Sequence, residues 1–160
     1  MNNSDLKQKA DHSLPENKKL FSKLKRNTPR DLDDTVQRLH DEAFEEIDCK
    51  TCANCCKTTS PIFRDNDIDR IAKHLRMRPS DLIEQHLHLD EDKDYVLNFA
   101  PCTFLGDNNL CRIYDVRPTA CRQYPHTDRK NFHQVLDMTL KNTEICPAVY
   151  RIVEELTKVY

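Results

Sequence analysis

One glycine, Gly106, stands in 160 residues. Phosphate cradles and dinucleotide-binding loops need several residues without a side chain, so that the backbone can turn sharply and approach an anion. Their scarcity argues against a nucleotide or S-adenosylmethionine site of the Rossmann kind. No run approaches the roughly 18 to 20 apolar residues needed to cross a bilayer, and the opening stretch MNNSDLKQKA has no apolar segment of the secretory type. A cytoplasmic protein with no membrane partner is therefore expected. An excess of one charge sign is missing too: 25 Lys and Arg face 27 Asp and Glu, a net charge of −2. Nothing in that balance attracts nucleic acid in general, so nucleic acid is disfavoured as a partner.

What is present points elsewhere. A chain of this length fits a small single domain. With 38% apolar and 32% charged residues and a mean hydropathy of −0.80, its core is modest, and cross-links would help to hold a unique structure. There are eight cysteines. In the reducing cytosol, that number favours metal ligation or redox chemistry over structural disulfides.

Residues 1–30 are rich in Lys, Asn, Asp and Ser and contain Pro15 and Pro29, which reads as a mobile or partly helical basic arm. Its Lys18, Lys19, Lys23, Lys25, Arg26 and Arg30 read as a solvated face. Residues 31–160 are expected to form the cysteine-cluster metal-binding domain. Leu32, Val36, Leu39, Ala43 and Ile47 recur at helical spacing behind an acidic start. Ile68, Ile71, Ala72 and Leu75 mark a second helix, and Arg78-Pro79-Ser80 separates it from a shorter one bearing Leu82, Ile83 and Leu87. That pair resembles a helix–turn–helix, but Glu84, Gln85 and His86 suit a helical hairpin over the metal region better than a DNA reader. Tyr95 to Ala100 reads as a strand, and Thr103 to Tyr114 as two extended arms joined by the turn-forming run Gly106-Asp107-Asn108-Asn109. The segment 131–140 fits strand or helix. Pro147 suits a first helical position, before the stripe Val149, Ile152, Val153, Leu156 and Val159. The expected fold class is mainly α, with irregular metal-stabilised loops and a short β-hairpin.

The chemistry concentrates in Cys49-Lys-Thr-Cys52-Ala-Asn-Cys55-Cys56. Two residues between cysteines let one tight turn aim both sulfurs at an ion about 2.3 Å away, with backbone N–H groups free to point at the thiolates. The vicinal Cys55 and Cys56 leave the backbone in different directions and seldom reach one tetrahedral ion together, so one of them is a candidate for a second metal. Cys102, Cys111, Cys121 and Cys146 supply enough further sulfur for two four-ligand ions or one polynuclear cluster. The plain alternative, a cysteine as a small buried apolar residue, fits Cys56 or Cys146 better than Cys49, Cys52 or Cys55. Thiol–disulfide exchange is a weaker rival, since no strand–helix pattern of the thioredoxin type introduces the block. Arg112, Arg117 and Arg122 follow later cysteines closely and either offset thiolate charge or make ordinary surface salt bridges. His126 and His133 are substitute-ligand candidates; His74, His86 and His88 read as bystanders.

At these residues the chain resembles the YkgJ-type cysteine-cluster family, zinc- or iron-chelating domains named for the pattern CxxCxxCC. The resemblance runs through Cys49, Cys52, Cys55 and Cys56, Pro101-Cys-Thr-Phe-Leu105, Cys111-Arg-Ile-Tyr114, Arg117-Pro118, Cys121-Arg-Gln-Tyr-Pro125 and Cys146-Pro147. It implies a metal-chelating module with all eight cysteines as candidate ligands, and zinc or iron, including an iron–sulfur cluster, as cofactor. Larger proteins similar in this module include flagellin lysine methylases, where an iron–sulfur cluster accompanies methyl transfer. A chain of this length is expected to be too short for the module plus a separate catalytic domain.

Three functions follow as expectations. The first is a metal-binding protein without catalysis; the second is an iron–sulfur redox or methyl-transfer component. The third is a metal-ordered interaction module, with a protein partner fitting it better than nucleic acid. No catalytic residue is assigned, and the choice between enzyme and binding protein stays open.

Overall fold

The computed structural model of the chain describes residues 3–160. In chain order it builds α1 (Asn3–Arg26), α2 (Leu32–Glu46), the short helices α3 (Cys49–Cys52) and α4 (Asn54–Thr58), α5 (Asp65–Leu75) and α6 (Pro79–His86). Strands β1 (Leu87–Leu89) and β2 (Tyr95–Leu97) follow, then α7 (Thr119–Gln123), α8 (Leu136–Asn142) and α9 (Pro147–Val159). Tight 3₁₀ turns precede α7 and α8, at Tyr114–Val116 and Phe132–Val135. The expected mainly helical fold with a short antiparallel hairpin is what forms. Among the described residues no helix is long and apolar enough to cross a membrane. The chain divides into two compact units, one running to Asp48 and resuming at Pro125–Tyr160, the other spanning Cys49–Tyr124.

In the first unit α9 packs against α1, α2 and α8. It forms because Pro147 presets the first helical residue and Ala148, Val149, Ile152, Val153 and Leu156 lie on one stripe, all fully buried. On α2 Leu32, Val36, Leu39 and Ala43 of the expected stripe are buried as well, while Ile47 caps the helix and is half-buried. The Asp33 carboxylate accepts the backbone N–H groups of Asn131 (2.7 Å) and Phe132 (2.9 Å), which starts the turn leading into α8. The ambiguous segment 131–140 is thus helical. Residues 1–30, expected as a mobile or partly helical arm, supply a 24-residue helix. Its Leu6, Ala10, Leu20, Phe21 and Leu24 are buried, and it packs on α8 and α9. The apolar stripe is sparse, with buried Asn17 interrupting it, and Pro15 lies inside the helix.

The core of the second unit is Phe63, Ile68, Ile71, Ala72, Leu82, Leu87, Leu97, Phe104 and Ile113. Helix α5 contributes its predicted face and α6 starts at Pro79. The hairpin, however, is β1 against β2, with Leu87 opposite Leu97 and Leu89 opposite Tyr95. Its turn is tied by the Asp90 carboxylate, which accepts N–H bonds from Asp92 and Asp94. The strand expected over 95–100 ends at Leu97, and the two arms expected over 103–114 reduce to one isolated bridge between Leu105 and Cys111. Gly106 closes that loop for a steric reason: a Cβ there would lie 2.9 Å from Asn108 Oδ1 and 3.2 Å from the Leu110 carbonyl oxygen.

Candidate metal centre

The second unit carries seven of the eight cysteines, and its backbone gathers them from three stretches. Helices α3 and α4 hold the first four. Between them Ala53 adopts a left-handed conformation (φ 49°), an uncommon state for a residue with a Cβ, so the chain changes direction within the motif. The Ala53 N–H returns to the Cys49 carbonyl (3.0 Å), and both the N–H and the hydroxyl of Thr59 bond to the Cys55 carbonyl. The second stretch joins directly: the Cys102 N–H donates to the Cys56 carbonyl at 2.8 Å. Bonds from Leu105 N–H to the Cys102 carbonyl and from Arg112 N–H to the Phe104 carbonyl then fold residues 102–112 back on themselves. Cys102 and Cys111 are half-buried against the unit's core. Asn109 Nδ2 donates to the Thr51 carbonyl (3.3 Å), tying this loop to α3. The third stretch is α7, which carries half-buried Cys121.

The three later sulfurs all feel Cys56. Burial pushes the Cys121 thiol up to about 12 and the Cys102 thiol up to about 11, and it raises Cys111. The neighbouring sulfurs add to the rise: Cys56 acts on all three, Cys111 on both Cys102 and Cys121, and Cys102 on Cys121. Cys56 moves the other way, lowered to about 7, chiefly because the Cys55 thiol donates a hydrogen bond to it. The vicinal pair thus divides its labour, with Cys56 facing the later cysteines electrostatically and Cys55 supporting its thiolate.

None of the eight cysteines is in a disulfide. Among the described residues no group of three or more His, Cys, Asp or Glu side chains stands in an arrangement that could hold an ion. The donor chemistry nevertheless fits a soft or borderline cation. Three thiols are kept protonated by burial and by the charge of neighbouring sulfur, Cys56 in every case, and a divalent ion relieves both causes when it displaces their protons and draws the sulfurs to about 2.3 Å. Hard cations such as calcium prefer oxygen donors and find none in this set.

The family model titled CxxCxxCC, "Putative zinc- or iron-chelating domain", matches residues 48–147. The chain belongs to this family. Membership of the CxxCxxCC family ties it to zinc or iron chelation at the level at which the family is described. No curated protein and no solved structure matches the chain.

Cys146 lies in the other unit, buried at the position before α9, and so do His126 and His133, the first half-buried and the second exposed. Within the cysteine-bearing unit His86 packs at a tilt against Phe104 (5.3 Å between ring centroids, planes at 58°), His88 pairs with Asn98, and His74 is exposed at the end of α5. Arg112, Arg117 and Arg122 make no ion pair among the described residues. They donate to carbonyls instead: Arg112 to Thr103, Arg117 to Tyr114, and Arg122 to Asp115 and Arg117. No sequence signal marked Asp67 and Arg70 of α5 or Thr119, the first residue of α7. One of three aspartates in the first turns of α5, Asp67 gives no local signal of a partner 52 positions on.

Proposed function

We propose that this CxxCxxCC-family chain is a metal-chelating protein in which Cys56, Cys102, Cys111 and Cys121 bind zinc or iron as thiolates. Cys49, Cys52 and Cys55 of the same unit are the further candidate donors. The observation that carries the reading is that Cys56 acts electrostatically on Cys102, Cys111 and Cys121, sulfurs up to 65 residues from it in sequence but within one compact unit. A protein with a small core gains from such an ion, because the free energy of binding it adds to that of folding.

A second reading, an iron–sulfur centre of a redox or methyl-transfer component, is favoured by number alone: seven cysteines exceed the four that one zinc ion takes. Elemental analysis with a visible spectrum on anaerobically and aerobically purified protein separates the two. Stoichiometric zinc without colour supports the first reading. Iron with acid-labile sulfide and a brown colour supports the second. Neither metal in either preparation, with no uptake on reconstitution, refutes both.

A further inference from the structure

We infer that Asp67 is the positioning residue of the metal centre: its buried carboxylate, reaching from α5 to the first residue of α7, sets where Cys121 stands among the other thiols. The inference rests on the reading of Cys121 as a ligand.

Helix α7 has five residues, and no side chain of its own segment caps it. A single helical turn is not stable by itself, and its first N–H groups have no partner inside the helix. Here the partner comes from α5. Asp67 is 1% exposed, and its Oδ1 accepts both the N–H (3.0 Å) and the hydroxyl (2.9 Å) of Thr119, two residues before Cys121. The same oxygen accepts a bond from Arg70 Nη2 at 2.6 Å, while Oδ2 accepts the Arg64 N–H at 3.2 Å. Arg70 continues the grip, with Nε on the Val116 carbonyl (3.2 Å) and Nη2 on the Arg117 carbonyl (2.8 Å). The segment 116–119 is therefore held at three residues by one ion pair on a helix that is itself anchored in the core through Ile68, Ile71 and Ala72.

Asp67 is not itself a ligand in this arrangement. Oδ1 already receives three donors and Oδ2 one, so freeing an oxygen for an ion would release Thr119 and Arg70 together. Such outer groups orient ligands, and their loss usually costs a site affinity instead of stoichiometry. A purely structural ion pair would change stability while leaving the site's spectrum alone, which gives the two roles different signatures.

The test uses the full chain, with Co²⁺ as the probe, in wild type, Asp67→Asn, Thr119→Val and the control Cys121→Ser. Three quantities are read: Co²⁺ affinity with its thiolate charge-transfer and ligand-field bands, the rate at which iodoacetamide labels Cys121 relative to Cys56 in metal-free protein by mass mapping, and the melting temperature. Asp67→Asn is expected to weaken Co²⁺ binding about 10- to 100-fold, shift the ligand-field bands and raise the relative labelling of Cys121. Thr119→Val, which keeps the N–H bond, moves the same readouts less, and it decides the matter if Asp67→Asn does not fold. Wild-type affinity, spectrum and labelling ratio in the folded variants, even with a lowered melting temperature, overturn the inference and leave the metal reading intact. If wild type takes up no Co²⁺, or Cys121→Ser binds it unchanged, the metal reading of Cys121 fails instead, and an unchanged labelling ratio then refutes the positioning role as well.

Discussion

Protons released on metal binding count the thiols and report how the fold has prepared them. Cys102, Cys111 and Cys121 are all raised above the ordinary thiol value of 9.0, so each enters the reaction protonated at neutral pH and gives up one proton. Cys56, lowered to about 7, is half ionised at pH 7. A divalent ion bound by these four should therefore release about 3.9 protons at pH 6 and about 3.5 at pH 7, where an unstructured peptide with ordinary thiols gives about 4 at both. The sign follows from Cys56 alone: its folded value is depressed, so the thiolate it contributes is present above about 7 and lost as pH falls through that value. Isothermal titration calorimetry of zinc in buffers of different ionisation enthalpy measures the count, and the slope of apparent log affinity against pH gives it again. Fewer than about two protons would refute a thiolate site, and a count that does not change between pH 6 and 7 would refute the special state of Cys56.

Two further outcomes follow from the packing and the charges. Ile152→Ala in α9, where the side chain is fully buried, should cost about 2 to 5 kcal/mol in chemical denaturation; a loss below about 1 kcal/mol would show that α9 is not the centre of its unit. The raised thiols also make the metal-free protein sensitive to alkali. Because folding favours their neutral forms, the stability they contribute is fully present below the ordinary value of 9.0 and is lost as pH rises through about 11 for Cys102 and about 12 for Cys121. A metal-free melting temperature that stays level or rises from pH 8 to 10.5, with disulfide formation blocked, would contradict this.

Three elements were legible before the structure because each repeats its apolar residues every three or four positions: α2, α5 and α9 bury most of the predicted stripe, though Ile47 ends outside α2 and Val159 is exposed, whereas α6 buries only Leu82 and the predicted Leu87 opens β1. What the sequence hid was what depends on distance. Helix α1 has too few apolar residues to stand out, and an interior Pro15 argues against a continuous helix, whereas the folded chain carries one through it and packs it on α8 and α9. The hairpin was misplaced because β1 and β2 have three residues each, too short for an alternating pattern, and their turn is built from Asp90 to Asp94 without a glycine. At the candidate centre the spacing singled out the cysteines but not their neighbours in space. Spacing offered Cys56 as a candidate ligand with a plain buried residue as its alternative, and in the folded chain it is the early cysteine that acts on Cys102, Cys111 and Cys121. Asp67 to Thr119 is a contact between helices that no local pattern encodes.

The arginines around the later cysteines bring the electrostatics to a consistent end. Four successive carbonyls, from Tyr114 to Arg117, each accept a bond from Arg70, Arg117 or Arg122. Bonds to carbonyls fix a guanidinium without cancelling its charge, unlike a carboxylate partner, and of these three only Arg70 has one. Arg117 also lies over the Tyr114 ring at 3.9 Å, with Lys50 at 4.9 Å from the same ring's centroid. Its charge acts to lower Cys111 and Cys121, against the larger effect of their burial. Four thiolates on a divalent ion carry a net charge of about −2, which a half-buried site must balance. Uncancelled guanidinium charge, held rigidly on the backbone that leads to Cys121, is what an anionic metal–thiolate centre requires and what neutral thiols do not need.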